Sequence, residues 1–139
     1  MPKLTETTVR RDVGDGSCGP YEALLFSDSG GLTQFGAFVE ILAPGSRSSI
    51  RHWHATEDEM VYVLAGEVTV HEGDASYTLS PGEAATFRAG VPEGHCLENT
   101  SAAPVRYLVI GTRGLADVVT YPNHDRVVRL TRDPDSQEI

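Results

Sequence analysis

Turn signals cut this chain into short runs of β-forming residues, and that rhythm leaves few folds open to it. Phe35-Gly-Ala-Phe-Val-Glu-Ile-Leu42 is rich in β-formers and stops at Ala43-Pro44-Gly45. Residues 50–54 and 60–64 make the next two runs, the second ended by Ala65-Gly66. Residues 67–72 alternate polar and apolar side chains before Gly73-Asp74, and residues 77–79 precede Pro81-Gly82. Residues 83–88 close at Ala89-Gly90, and residues 95–99 and 105–110 complete the series. About eight short strands at regular spacing, with no helical period between them, specify a sandwich, jelly roll or barrel rather than a βαβ sheet.

The ends of the chain are less regular. Residues 1–34 carry Gly14, Gly16, Gly19, Gly30 and Gly31 around one apolar run, Tyr21-Glu-Ala-Leu-Leu-Phe26. They read as an extended N-terminal arm with one or two strands, ahead of a core over residues 35–111. Residues 112–139 form a C-terminal extension with one further strand at Val127-Val-Arg-Leu130. The polar end, Asp133-Pro-Asp-Ser-Gln-Glu138, is expected to be disordered.

With 139 residues, 40% of them apolar, the chain is one all-β domain able to bury a core without disulfides. The formal charge of −9 offers no basic stripe to neutralise phosphates, which argues against a nucleic-acid partner. No run of about 18 apolar residues is present, so no membrane span is expected. Nor does Met1-Pro-Lys-Leu-Thr-Glu-Thr-Thr8 have the apolar segment of a secretory signal. Cys18 and Cys96 are too few and too far apart for a disulfide framework, and two reduced thiols fit a cytoplasmic protein.

Chemistry concentrates in residues 45–66. His52 and His54 stand two apart, so on a strand they share a face, with Trp53 opposite and directed, like Arg51, into another layer or an interface. Glu59 lies an odd number of residues beyond His54, and unbroken alternation would turn it away. The polar Ala55-Thr56-Glu57-Asp58 segment can supply a turn or bulge that resets the parity, after which Glu59, Val61 and Val63 share the inner face. Two imidazoles and a carboxylate converging on one point suit a transition metal.

Gly45, His52, His54, Glu59 and Gly66 resemble the first signature of the cupin superfamily, with one extra residue between Gly45 and His52. Gly82, Gly90, His95 and Asn99 resemble the second. There Arg88 stands at the signature's proline, and Val91-Pro-Glu-Gly94 lengthens the spacer to His95 in a segment free to loop out. The resemblance implies a double-stranded β-helix, or jelly-roll, barrel. It also implies one divalent metal held by His52, His54, Glu59 and His95. Fe, Mn, Zn, Ni or Cu suits such ligands better than Ca or Mg.

The remaining candidates surround that set. Glu57 and Asp58 can stand behind the ligands, and Asn99 can do so or pin a strand end. His124, in Tyr121-Pro-Asn-His124-Asp125, belongs either to a capping turn or to a lid over the barrel mouth. His71 reads as an exposed strand residue, and Cys96 faces away from its neighbour His95. The expected function is a metal-dependent enzyme acting on a small organic molecule, of dioxygenase, isomerase or lyase type. The alternative is a non-catalytic cupin module that binds or senses a small molecule or sugar. Open sheet edges and the family's habit imply a homodimer.

Overall fold

A computed structural model describes residues 3–132. It contains twelve β-strands, one short helix and one 3-10 turn. The strands are β1 (Arg10–Gly16), β2 (Gly19–Leu25), β3 (Phe35–Leu42), β4 (Trp53–His54), β5 (Glu59–Ala65) and β6 (Val68–Glu72). They continue as β7 (Ala75–Leu79), β8 (Ala84–Phe87), β9 (His95–Glu98), β10 (Val105–Thr112), β11 (Ala116–Tyr121) and β12 (Arg126–Thr131). One sheet has the order β1-β2-β3-β10-β5-β8; two smaller sheets have the orders β12-β11-β4 and β7-β6-β9. Every named pairing is antiparallel. The fold is all-β, a jelly roll of the double-stranded β-helix kind.

Alternation decides which side chains fill the interior. On the large sheet Leu42, Val61, Val63, Val105, Tyr107 and Val109 face inward, and from the β7-β6-β9 sheet Val68, Val70, Leu79 and Leu97 meet them. Gly66, which separates β5 from β6, has φ +79°, and a Cβ there would lie 2.7 Å from the Pro104 carbonyl oxygen. Only glycine satisfies both demands.

The N-terminal segment, read from sequence as an arm with one or two strands, supplies two strands to the large sheet. β1 and β2 form a hairpin, and β2 lies against β3. The apolar run ends one residue early as strand, because Phe26–Ser29 turns into a single helical turn (α1). Leu4, Val9, Leu24 and Phe26 then cover Val39, Ile41 and Leu108 on the outer face of β3 and β10, forming a second small core.

Two local expectations change. Residues 50–54 are not one strand: only Trp53 and His54 pair regularly, while residues 49–51 bend. The reason is a change of partner. Arg47 and Ser48 bond to β9, His52 bridges to His95, and Trp53 and His54 then join β11. The extension after Gly111 holds two strands rather than one, β11 and β12. The Val91–Gly94 spacer carries no strand and exposes its first three residues, while Gly94 is buried, its Cβ position 2.9 Å from Pro122 Cγ of the C-terminal extension. Residues 133–138 lie outside the described residues.

Candidate metal centre

The partner change brings the imidazoles together. The backbones of His52 and His95 exchange hydrogen bonds of 3.2 and 2.9 Å. The His52 ring centroid stands 5.1 Å from that of His54 and 4.8 Å from that of His95. The polar turn restores the parity of β5: Glu59 faces the cluster, and Val61 and Val63 behind it are wholly buried. His52, His54 and Glu59 each bring one ligand atom to within 4.8 Å of the others. Bonds of about 2.1 Å to one ion would set neighbouring ligand atoms about 3.0–3.4 Å apart, so the three side chains would draw inward to complete a site.

His95 borders this trio. Its Nε2 lies 3.5 Å from Glu59 Oε1, and its ring stacks on Phe87 at 3.8 Å between centroids and 7° between planes. The residue is 3% exposed, and Nε2 is buried without a hydrogen-bond partner among the described residues. A buried imidazole nitrogen 3.5 Å from a carboxylate, on a ring beside that of His52, is chemistry a transition metal satisfies.

Hydrogen bonding prepares two of the rings. A carbonyl oxygen can only accept, so His52 Nδ1–H donates to the Ile50 carbonyl at 3.0 Å and leaves Nε2 with its lone pair. Burial pulls His52 below the usual imidazole value, the Ile50 bond opposes this in part, and the neighbouring His95 pushes the same way as burial. For Glu59, burial alone would raise the carboxyl, but the imidazoles of His95, His52 and His54 outweigh it and hold the group below the ordinary range. The cluster therefore presents a neutral imidazole and an ionised carboxylate, the protonation states that metals require.

His54 is held by a residue the sequence did not suggest. Its Nδ1 lies 2.6 Å from Asp117 Oδ2. Asp117, on β11, is 2% exposed, and its Oδ1 accepts from the backbone N–H groups of Thr56 and Val118 and from the Thr56 hydroxyl. Burial pushes this carboxyl up, but the His54 and Thr56 bonds hold it below the usual carboxylate range. A lone aspartate in a run of valines gave no local signal.

The other expected residues are distributed differently. Glu57 stands beside the centre, its Oε1 4.0 Å from His54 Nδ1, and its other oxygen pairs with Arg132. Asp58 accepts from the Ala89 N–H at 2.8 Å, tying the start of β5 to the turn after β8. Asn99 is buried at the end of β9, where it donates to the Leu42 and Ala103 carbonyls and accepts from Ser101, away from the imidazoles. His124 is exposed on the 3-10 turn. From that segment Tyr121 approaches the cluster instead, its ring 5.8 Å from His52. His71 bonds to Ser76 and Glu98, each at 2.8 Å. Arg51 turns away, donating to the Gly73 carbonyl.

A cleft of about 190 Å³ opens onto the centre, lined by Trp53, His54, Phe87, Arg88, Val91 and His95 among others. Trp53 thus lines the cleft beside the candidate ligands His54 and His95 rather than facing a separate layer. A second cleft of about 290 Å³ is lined by Glu59, Phe87 and Arg88 among others.

The family profile described as "Cupin domain" matches residues 38–111, just over half of the chain. Among solved structures, a cupin-superfamily sugar phosphate isomerase from Silicibacter pomeroyi superimposes with a TM-score of 0.85 at 34% identity, over 94% of this chain and 87% of that one. A provisionally assigned sugar phosphate isomerase from Acidithiobacillus ferrooxidans gives 0.80 at 25% identity, over 93% and 91%. The cupin domain of an XRE-family transcriptional regulator from Enterobacter cloacae gives 0.50 at 33% identity, over 58% and 83%. Nothing among curated proteins matches.

Proposed function

The chain belongs to the cupin family, and from that premise we propose that it is a metal-dependent enzyme of isomerase type acting on a small polyhydroxylated or phosphorylated molecule. The observation that carries this reading is the convergence of His52, His54 and Glu59 beside the unpartnered, buried Nε2 of His95. These four residues would hold the metal, which supplies Lewis-acid polarisation of a carbonyl or hydroxyl oxygen. Glu59 would bring a carboxylate to the centre, and His52 and His54 would contribute ring nitrogens. Tyr121 sets its ring beside that of His52. Phe87 and Trp53 place apolar rings along the cleft.

The printed activity of the 34% identical protein, which aligns along nearly the whole of this chain, favours the isomerase over the dioxygenase and lyase branches. Similarity to a regulator's cupin domain supports the second reading, a non-catalytic module that binds a sugar or small acid. Elemental analysis is expected to find close to one transition metal per chain, which His52→Ala and His54→Ala lose. Interconversion of aldose and ketose phosphates, followed by NMR, tests the reaction. Turnover by the metal-loaded protein supports the enzyme; binding without turnover under any of the five metals transfers the assignment to the binding module. Retention of full metal content by both histidine variants would overturn the centre itself.

A homodimer is part of the same proposal. Met60, Tyr62 and Leu64 stand exposed on the outer face of β5, with Phe35 also exposed, an apolar surface suited to a second copy. A monomer in light scattering at micromolar concentration would refute it. The free state of both cysteines supports a reducing, cytoplasmic setting. Among the described residues, no helix is long and apolar enough to cross a membrane.

A further inference from the structure

We infer that Asp117, delivered by the C-terminal strand β11, is the positioning residue that fixes the tautomer and orientation of His54 and thereby makes Nε2 its metal-binding nitrogen. The inference rests on the metal centre proposed above and concerns a residue outside the span 38–111 that the family profile covers.

The carboxylate cannot donate, so the 2.6 Å contact requires His54 Nδ1 to carry the proton. Nε2 is then bare. Asp117 is itself locked, since Oδ1 accepts from the Thr56 N–H, the Thr56 hydroxyl and the Val118 N–H at 2.9 to 3.0 Å. The backbone adds to the clamp: Ala55 N–H donates to the Val118 carbonyl, and Gly90 N–H to that of His54. The same strand thus anchors the turn that carries the chain from His54 to Glu59 and resets the parity.

Glu57 is the competing acceptor, but it lies 4.0 Å from His54 Nδ1, and Arg132 already pairs with it. For the same reason His54, Glu57 and Asp117 do not form a second cation site, although their ligand atoms cluster. One carboxylate is neutralised by a guanidinium and the other is saturated by N–H and O–H donors. Carboxylate–imidazole–metal relays of this kind raise ligand basicity, and their loss costs about 10–100-fold in metal affinity.

Two measurements on the full chain decide the matter. Zn(II) affinity is read by competition with a chromophoric chelator, and imidazole ¹⁵N NMR of the metal-free protein reads the tautomer. In the wild type His54 should carry its proton on Nδ1. Asp117→Asn, which offers an amide N–H to the ring, should move the proton to Nε2 and weaken Zn(II) about 10–100-fold while the variant stays folded by circular dichroism. An Nε2–H tautomer in the wild type overturns the inference without any variant. Wild-type affinity in folded Asp117→Asn overturns it as well, since a merely structural aspartate would shift melting but neither tautomer nor affinity. His52→Ala separates the two proposals. If it binds Zn(II) as tightly as wild type, the metal centre is wrong, while the tautomer still decides whether Asp117 governs His54.

Discussion

Glu40 and Tyr107 are direct register partners across β3 and β10, and the Tyr107 hydroxyl donates to the Glu40 carboxyl inside the sandwich. Leu42, on the same face of β3, belongs to the core, so this acid sits beside apolar side chains. Burial pushes Glu40 up to about 7 from an ordinary value of 4.5; the Tyr107 bond pulls it down, and the charge of Glu59 adds to the rise. Burial also drives the Tyr107 hydroxyl well upward.

The native protein therefore binds this proton more tightly than the unfolded chain. The stabilisation is fully present below pH 4.5 and is lost as pH rises through about 7. Its size is at most about 3 kcal/mol. Glu40→Gln should flatten that slope and be the more stable protein at pH 8. Urea unfolding at pH 5 and pH 8 checks it, and a variant that keeps the wild-type slope would show that another group is responsible.

Phe87 supports His95 by stacking, while its register partner Glu59 stands on the adjacent strand. Phe87→Leu should cost about 1–1.5 kcal/mol through lost aromatic contact and imperfect filling. It should also weaken metal binding severalfold, because His95 loses the surface that orients it. Thermal unfolding with and without metal separates the two effects; an unchanged metal-induced shift in Tm would mean that His95 needs no such support.

The two turn glycines of the first signature should differ in cost. Gly45 has φ +85° with open space around its Cβ position, whereas Gly66 adds a steric conflict with the Pro104 carbonyl and Val105 Cα. Gly45→Ala should cost about 1–2 kcal/mol from the left-handed backbone alone. Gly66→Ala should cost more, by about another 1–3 kcal/mol of strain. Equal midpoints in denaturant would mean that β10 moves aside freely.

Asn99 offers a test of architecture against chemistry. Its amide satisfies the Leu42 and Ala103 carbonyls, and its oxygen accepts from the Ser101 N–H and hydroxyl. Asn99→Ala strands buried polar groups and should destabilise by about 1–3 kcal/mol. Metal content in the folded protein should stay at the wild-type level. A loss of metal at preserved stability would return Asn99 to the site.

The local code carried a large part of this protein. Apolar runs bounded by glycine and proline placed β3 and β5 to β10 to within a few residues, because strand alternation and turn stereochemistry are local properties. The same period put His52 and His54 together and required the break before Glu59. Tertiary structure decided the rest. β4 shrank to two residues because the chain changes partners there, which turned Trp53 into the cleft. Asp117 reaches His54 from 63 residues away, and Tyr121 rather than His124 approaches His52. No window of sequence contains those pairs: they exist only because β11 pairs with β4, and long-range strand pairing is fixed by the whole core rather than by the residues that pair.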